Sequence, residues 1–113
     1  MTRLMAMVGL CLSLIAAPVL AQQAMSGDEI KALITGRTID LTDGMATYKA
    51  DGKYEFYVKA NGATSRGKWS VQGDRVCVDF DAGGSRCDQY LKDGTKTFLK
   101  NSRGTMYQVT GVK

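Results

Sequence analysis

The chain has no histidine, one proline, one tryptophan and three cysteines. Without histidine the usual general base is missing, and so are Ser-His and Cys-His nucleophile pairs and most zinc sites. Catalysis would have to run on carboxylates or lysines. Lysine and arginine are scattered from Lys31 to Lys113 with no block among them. The long-range field is therefore weak, and no nucleic-acid surface is expected.

One long apolar run exists, from Leu4 to Leu20, interrupted by Gly9, Ser13 and Pro18. Arg3 precedes it and Val19-Leu20-Ala21 closes it with a small residue, the pattern of a signal peptide over residues 1–21 cleaved after Ala21. A transmembrane anchor is the rival reading. Pro18 breaks the end of the run and no cluster of positive charge follows to stop transfer, so no stable membrane anchor is expected after cleavage. Cys11 raises a lipoprotein reading, opposed by Leu10 where a small residue is required; it leaves with the signal.

Removing 21 of the 113 residues leaves 92, one small domain that gains from a covalent staple. Arg3 leaves too, so 14 basic residues face 11 acidic ones and the formal charge falls from +4 to +3. Cys77 and Cys87 remain, and in an exported domain such a pair is expected to form a disulfide. A metal or redox pair is the alternative, opposed by the lack of histidine and by a spacing that is not Cys-x-x-Cys. No metal and no cofactor is expected.

Residues 22–25 are expected to be a disordered stub, followed by one β-rich domain over 26–113. Ser26-Gly27-Asp28-Glu29 has the form of a capping box, and Ile30, Leu33 and Ile34 share a helical face, which predicts a helix over about 27–35 ended by Gly36. From Arg37 onward, short alternating segments are punctuated by Asp43-Gly44, Asp51-Gly52, Asn61-Gly62, Gly73-Asp74, Gly83-Gly84, Asp93-Gly94 and Arg103-Gly104, which are hairpin signals. The expected fold is mainly β: an antiparallel meander of about six to eight short strands with one N-terminal helix, either a curled open sheet or a small barrel.

Centring hairpins on Asn61-Gly62 and Gly73-Asp74 predicts Tyr54 opposite Trp69, Phe56 opposite Gly67, Trp69 opposite Val78 and Val71 opposite Val76. The predicted core is the face carrying Tyr54, Phe56, Val58, Trp69, Val71, Val76, Val78 and Phe80. On the other face Glu55 is expected across from Lys68, and Tyr57 across from Arg66. A reversal around Ala82 sets Cys77 opposite Cys87, favourable where the pair is of the narrow, non-hydrogen-bonded kind. The alternation then conflicts with itself, because Asp88 and Arg86 fall opposite Val76 and Val78. A bulge or a change of covered face is expected there, with the helix covering the later strands.

Asp79, Asp81 and Asp88 are the candidate acidic pocket, but Asp-x-Asp-x-Gly-Gly lacks the third oxygen ligand and distal Glu of a calcium loop. Solvated turn residues are the plainer reading, and the protein is not expected to be an enzyme. The better functional candidates are the cationic and aromatic residues Tyr57, Lys59, Arg66 and Lys68, with Lys53, which could hold an acidic partner or a glycan. The alternative is a soluble face that discourages edge pairing. Arg103, in Asn101-Ser102-Arg103-Gly104-Thr105-Met106-Tyr107, is a further candidate if that turn is a recognition loop.

Residues Gly67-Lys68-Trp69-Ser70-Val71-Gln72-Gly73-Asp74-Arg75-Val76-Cys77, followed by Cys87, resemble small exported proteobacterial proteins of uncharacterised function. The resemblance implies a compact β-rich domain, periplasmic or secreted, in a Gram-negative bacterium. A fainter likeness, through Ser102-Arg103-Gly104-Thr105-Met106-Tyr107, is to periplasmic lysozyme inhibitors, small β-barrels that present a Ser-Gly-rich loop; here Arg103 stands between Ser and Gly. The expected function is a non-catalytic exported binding or structural module whose partner is a protein or envelope polymer. An inhibitor of a cell-wall hydrolase is the alternative, and a carboxylate-dependent hydrolase comes third.

Overall fold

Strand follows strand from Arg37 to Val112 in the structure, a computed structural model that describes residues 22–113. The expected signal peptide and Cys11 lie outside the described residues. In chain order the elements are β1 (Gln23–Ala24), α1 (Gly27–Ile34), β2 (Arg37–Leu41), β3 (Gly44–Tyr48), β4 (Lys53–Val58), β5 (Thr64–Gln72), β6 (Arg75–Phe80), β7 (Ser85–Asp93), β8 (Lys96–Lys100) and β9 (Met106–Val112). Among these residues no helix is long and apolar enough to cross a membrane.

Each strand from β2 to β9 pairs antiparallel with the next, and β9 returns to β2, where Thr38 and Lys113 exchange backbone hydrogen bonds of 3.1 and 2.9 Å. The meander is therefore a closed eight-stranded barrel, which leaves no long edge unpaired. A register shift between Asp40 and Leu41 marks the seam. Residues 22–25 are not the expected stub: β1 pairs with Leu91 and Lys92 of β7, and the Met25 N–H donates to the Tyr90 carbonyl at 2.8 Å. Met25 is buried, and this apolar anchor holds the segment.

Ser26 caps α1 with the reciprocal Ser26–Glu29 bonds of a capping box, and Gly36 takes the left-handed conformation at φ +72°. Two turns of helix are stable only when docked. Ile30 and Ile34 are fully buried against the barrel interior, with α1 lying on β2, β5 and β6. At one end of the helix a Cβ on Gly27 would strike the Gly73 carbonyl; at the other, the Gly36 N–H donates to the Tyr48 carbonyl at 2.7 Å. The helix thus plugs one end of the barrel rather than covering the later strands as expected.

The β5–β6 and β6–β7 registers agree with the turn-based reading: Trp69 faces Val78, Val71 faces Val76, and Cys77 faces Cys87. The Phe80 N–H donates to the Gly84 carbonyl, so counting back along the ladder makes Cys77–Cys87 a non-hydrogen-bonded pair. The two cysteines form the expected disulfide, with Cα atoms 4.0 Å apart. The β4–β5 register differs by two residues, Tyr54 facing Gly67 and Phe56 facing Ser65, with Glu55 opposite Arg66 and Tyr57 opposite Thr64. The cause is the turn, a four-residue loop closed by Val58 N–H to Ala63 O and Gly62 N–H to Val58 O, rather than a two-residue turn at Asn61-Gly62. An even slip preserves the faces and changes only the partners.

All eight predicted core residues therefore point inward. Tyr54, Val76 and Val78 are buried; Phe56, Trp69, Val71 and Phe80 pack partly buried against them, and Val58 lines a cavity. Room for the Phe56 ring is made by Gly44, where a Cβ would strike that ring, and not by Gly67, whose role is to let β5 approach the Asp79 carbonyl of β6. Ile39, Leu41, Ala46, Tyr48, Tyr90 and Leu99 complete the core. Replacing both cysteines by serine is expected to lower unfolding free energy by roughly 2 to 3 kcal/mol, since the disulfide closes a short loop. Urea denaturation followed by Trp69 fluorescence measures it; an unchanged midpoint would show that the staple carries no stability.

Candidate functional site

Strand alternation on β7 sends Cys87 outward and Arg86, Asp88 and Tyr90 inward. No bulge relieves the conflict seen in the sequence; the charges enter the barrel and satisfy each other. Arg86 Nε donates to Asp88 Oδ2 at 3.1 Å and Arg86 Nη2 donates to the Tyr54 hydroxyl at 3.1 Å. The guanidinium also lies 5.5 Å from the Phe80 ring centre and 6.0 Å from that of Phe56. Two rings and two hydrogen bonds hold it in one orientation.

Behind it the interior is closed. The Asp88 side chain is fully buried, with Oδ1 unpartnered, and Tyr48 and Tyr90 share a hydroxyl–hydroxyl bond of 2.8 Å. Burial pushes the Asp88 carboxyl up, against the pull of Arg86. Burial also raises the Tyr54 phenol to about 12 and drives Tyr48 and Tyr90 above their ordinary value. Burial disfavours the Arg86 charge, but Tyr54 and Asp88 outweigh it and hold that group raised. At neutral pH the three phenols are neutral and Arg86 is a fixed cation.

The barrel end opposite α1 is open. Leu41, Phe56, Val58, Leu99 and Tyr107 wall a cavity of about 180 Å³ with Arg86 among them, and Asp43 and Asn101 complete its lining. The Arg86 side chain keeps 31% of its surface exposed, whereas Asp88 does not line the cavity. A guanidinium has five N–H donors, and two are engaged. The arrangement suits recognition of a hydrogen-bond acceptor by a positioned cation between apolar walls. Beside the opening stands the β8–β9 turn, where Asn101 Oδ1 accepts from the Arg103 and Thr105 N–H groups at 3.0 Å each.

The residues singled out from sequence are not gathered in one place. Tyr57, Arg66 and Lys68, with Lys53, do share the outer face of β4 and β5, but Glu55 there pairs with Lys49 at 3.2 Å and Arg66 at 3.5 Å rather than with Lys68. Lys59 turns away to Asp40 at 2.9 Å and the Leu41 carbonyl at 2.8 Å, tying the β4–β5 turn to β2. Arg103 is exposed on the β8–β9 turn, next to Ser85 and Arg86. The acidic pocket does not assemble: Asp79 is exposed opposite Lys68, Asp81 is exposed in the following turn, and Asp88 is inside. Strand alternation alone does not mark Arg86 as a site residue, because an inward charge contradicts the pattern of an open sheet; the signal is a charged pair, Arg86 and Asp88, at alternate positions of one strand.

Fold and site together define a small disulfide-bonded antiparallel β-barrel, plugged at one end and open at the other over a buried ion pair. Comparison with protein families, curated proteins and solved structures found no match. Arg86→Met leaves Asp88 buried without its cation and is expected to cost about 3 to 5 kcal/mol, while Arg86→Met with Asp88→Leu recovers most of that loss. Chemical denaturation of the single and double variants measures the difference. Equal losses in both would mean that packing, not charge, supplies what Arg86 contributes.

Proposed function

We propose that this protein is a non-catalytic module exported to the periplasm or beyond, which binds a protein or envelope polymer through the open end of its barrel. The observation that carries the reading is the asymmetry of the two ends: α1 seals one with Ile30 and Ile34, and the other opens on an apolar cavity containing the half-exposed Arg86. A fold stabilised by a short-loop disulfide suits an oxidising compartment, which supports export. The outer cationic stripe is the weaker candidate surface, since Glu55 already engages Arg66.

Affinity capture from envelope extract, using the oxidised protein as bait, tests which end is used. Val58→Glu at the opening is expected to lower recovery of the wild-type partner at least tenfold, and Arg66→Glu on the stripe to leave it unchanged. The reverse pattern would move the binding surface to the stripe. A second reading, an inhibitor of a cell-wall hydrolase, is favoured by the Ser102–Thr105 segment, held in a fixed turn beside the opening by Asn101. On that reading the protein slows lysozyme-driven loss of turbidity in a cell suspension and Arg103→Ala weakens the effect about tenfold, a hot-spot-sized loss. Unchanged lysis at large excess of the protein would remove it.

A further inference from the structure

The geometry points to the chemical class of the group that enters the open end: a monocarboxylate on an apolar body no larger than an aromatic ring or a short alkyl chain. The inference rests on the reading of that end as the binding surface. Three features of the site carry it, and each limits the ligand in a different way.

Arg86 sets the charge. Its Nε and one Nη2 N–H are spent on Asp88 and Tyr54, and the remaining donors belong to a guanidinium that lines the cavity and stays partly exposed. Phe56 and Phe80 lie near it at 6.0 and 5.5 Å, so the charge is poorly hydrated and planar acceptors gain most from its fork of parallel donors. Because the Asp88 ion pair and the Tyr54 hydroxyl already hold the side chain, little rotamer entropy remains to be lost when an anion binds.

The carboxylates nearby set how much negative charge is tolerated. Asp88 sits directly behind the guanidinium, and Asp43 is an exposed residue of the cavity lining. Asp88 neutralises Arg86 and Asp43 adds a negative charge at the mouth, so the attraction for an anion comes from the unspent N–H donors of Arg86, and a phosphate dianion meets about twice the repulsion that a monocarboxylate does. The walls set the size. An apolar cavity of about 150 Å³ is known to accept benzene, and this one measures about 180 Å³.

The test is a titration of the isotope-labelled, oxidised protein with phenylacetate, phenylacetamide, phenethylamine and phenyl phosphate, read by NMR at the Arg86 Nε–H and at the Phe56 and Tyr107 rings. Phenylacetate is expected to bind at least tenfold more tightly than each of the other three, with the Arg86 signal moving first. Arg86→Lys, which keeps the charge and loses the fork, is expected to erase that preference; the wild-type comparison stands whether or not the variant folds. A tripeptide ending in Phe, as free acid and as amide, distinguishes sources: tighter binding of its acid than of phenylacetate assigns the group to a partner's carboxyl terminus, and weaker binding assigns it to a small free acid. Equal affinity for acid and amide at the opening overturns the carboxylate class and leaves the open end as the binding surface. Perturbations confined to Arg66 and Lys68, or none for any probe, overturn both.

Discussion

The cross-strand disulfide and the pleat of β7 together decide what the inside of this barrel contains. Cys77 and Cys87 face each other on the outer side of adjacent strands, which turns the neighbours of Cys87 inward. Arg86 and Asp88 therefore enter a small interior otherwise filled by Tyr48, Tyr54, Tyr90 and aliphatic side chains. A lone charge there would cost several kcal/mol, so the pair must be mutual and must borrow a hydroxyl from Tyr54. The core therefore holds one ion pair and three phenol hydroxyls among otherwise apolar side chains.

The two ends of the barrel have different fates. At one, α1 buries its isoleucines against β2, β5 and β6, and Trp69 spends its indole N–H on the Lys49 carbonyl at 2.8 Å. At the other, no element crosses the opening among the described residues, and Phe56, Val58 and Tyr107 remain partly exposed. The asymmetry follows from chain order: the only helix among the described residues precedes the barrel and is too short to reach more than one end. An open apolar mouth over a fixed guanidinium is a costly arrangement for a small domain, and the proposed binding role gives it a purpose.

Much of the fold was legible in the sequence. Ser26 and Glu29 announce the helix start, Gly73-Asp74 sets the β5–β6 register, and the reversal around Ala82 places Cys77 and Cys87 face to face. The β4–β5 register was misjudged because Asn61-Gly62 reads as a two-residue turn, whereas Asn61 Oδ1 accepts from Ala63 N–H inside a longer loop. Lys59 reaches past β3 to Asp40 and the Leu41 carbonyl at the end of β2, a contact two strands away in the sheet that strand alternation does not reveal. The site itself was hidden, since a charged residue facing Val78 is a contradiction in an open sheet and a resource in a barrel.

The sequence alone determined the local features: a capped helix, strands of a given parity, reversals at glycines and an even pair of cysteines. These rest on interactions between residues close along the chain, where propensity and turn geometry act without reference to the rest of the fold. Only the tertiary structure decided that β9 returns to β2, that Gln23 and Ala24 join the sheet, and that Arg86 meets Asp88, Tyr54 and two phenylalanine rings in one place. Those contacts join strands far apart in sequence. They exist because closing the barrel creates a single interior in which every inward side chain must find a neighbour.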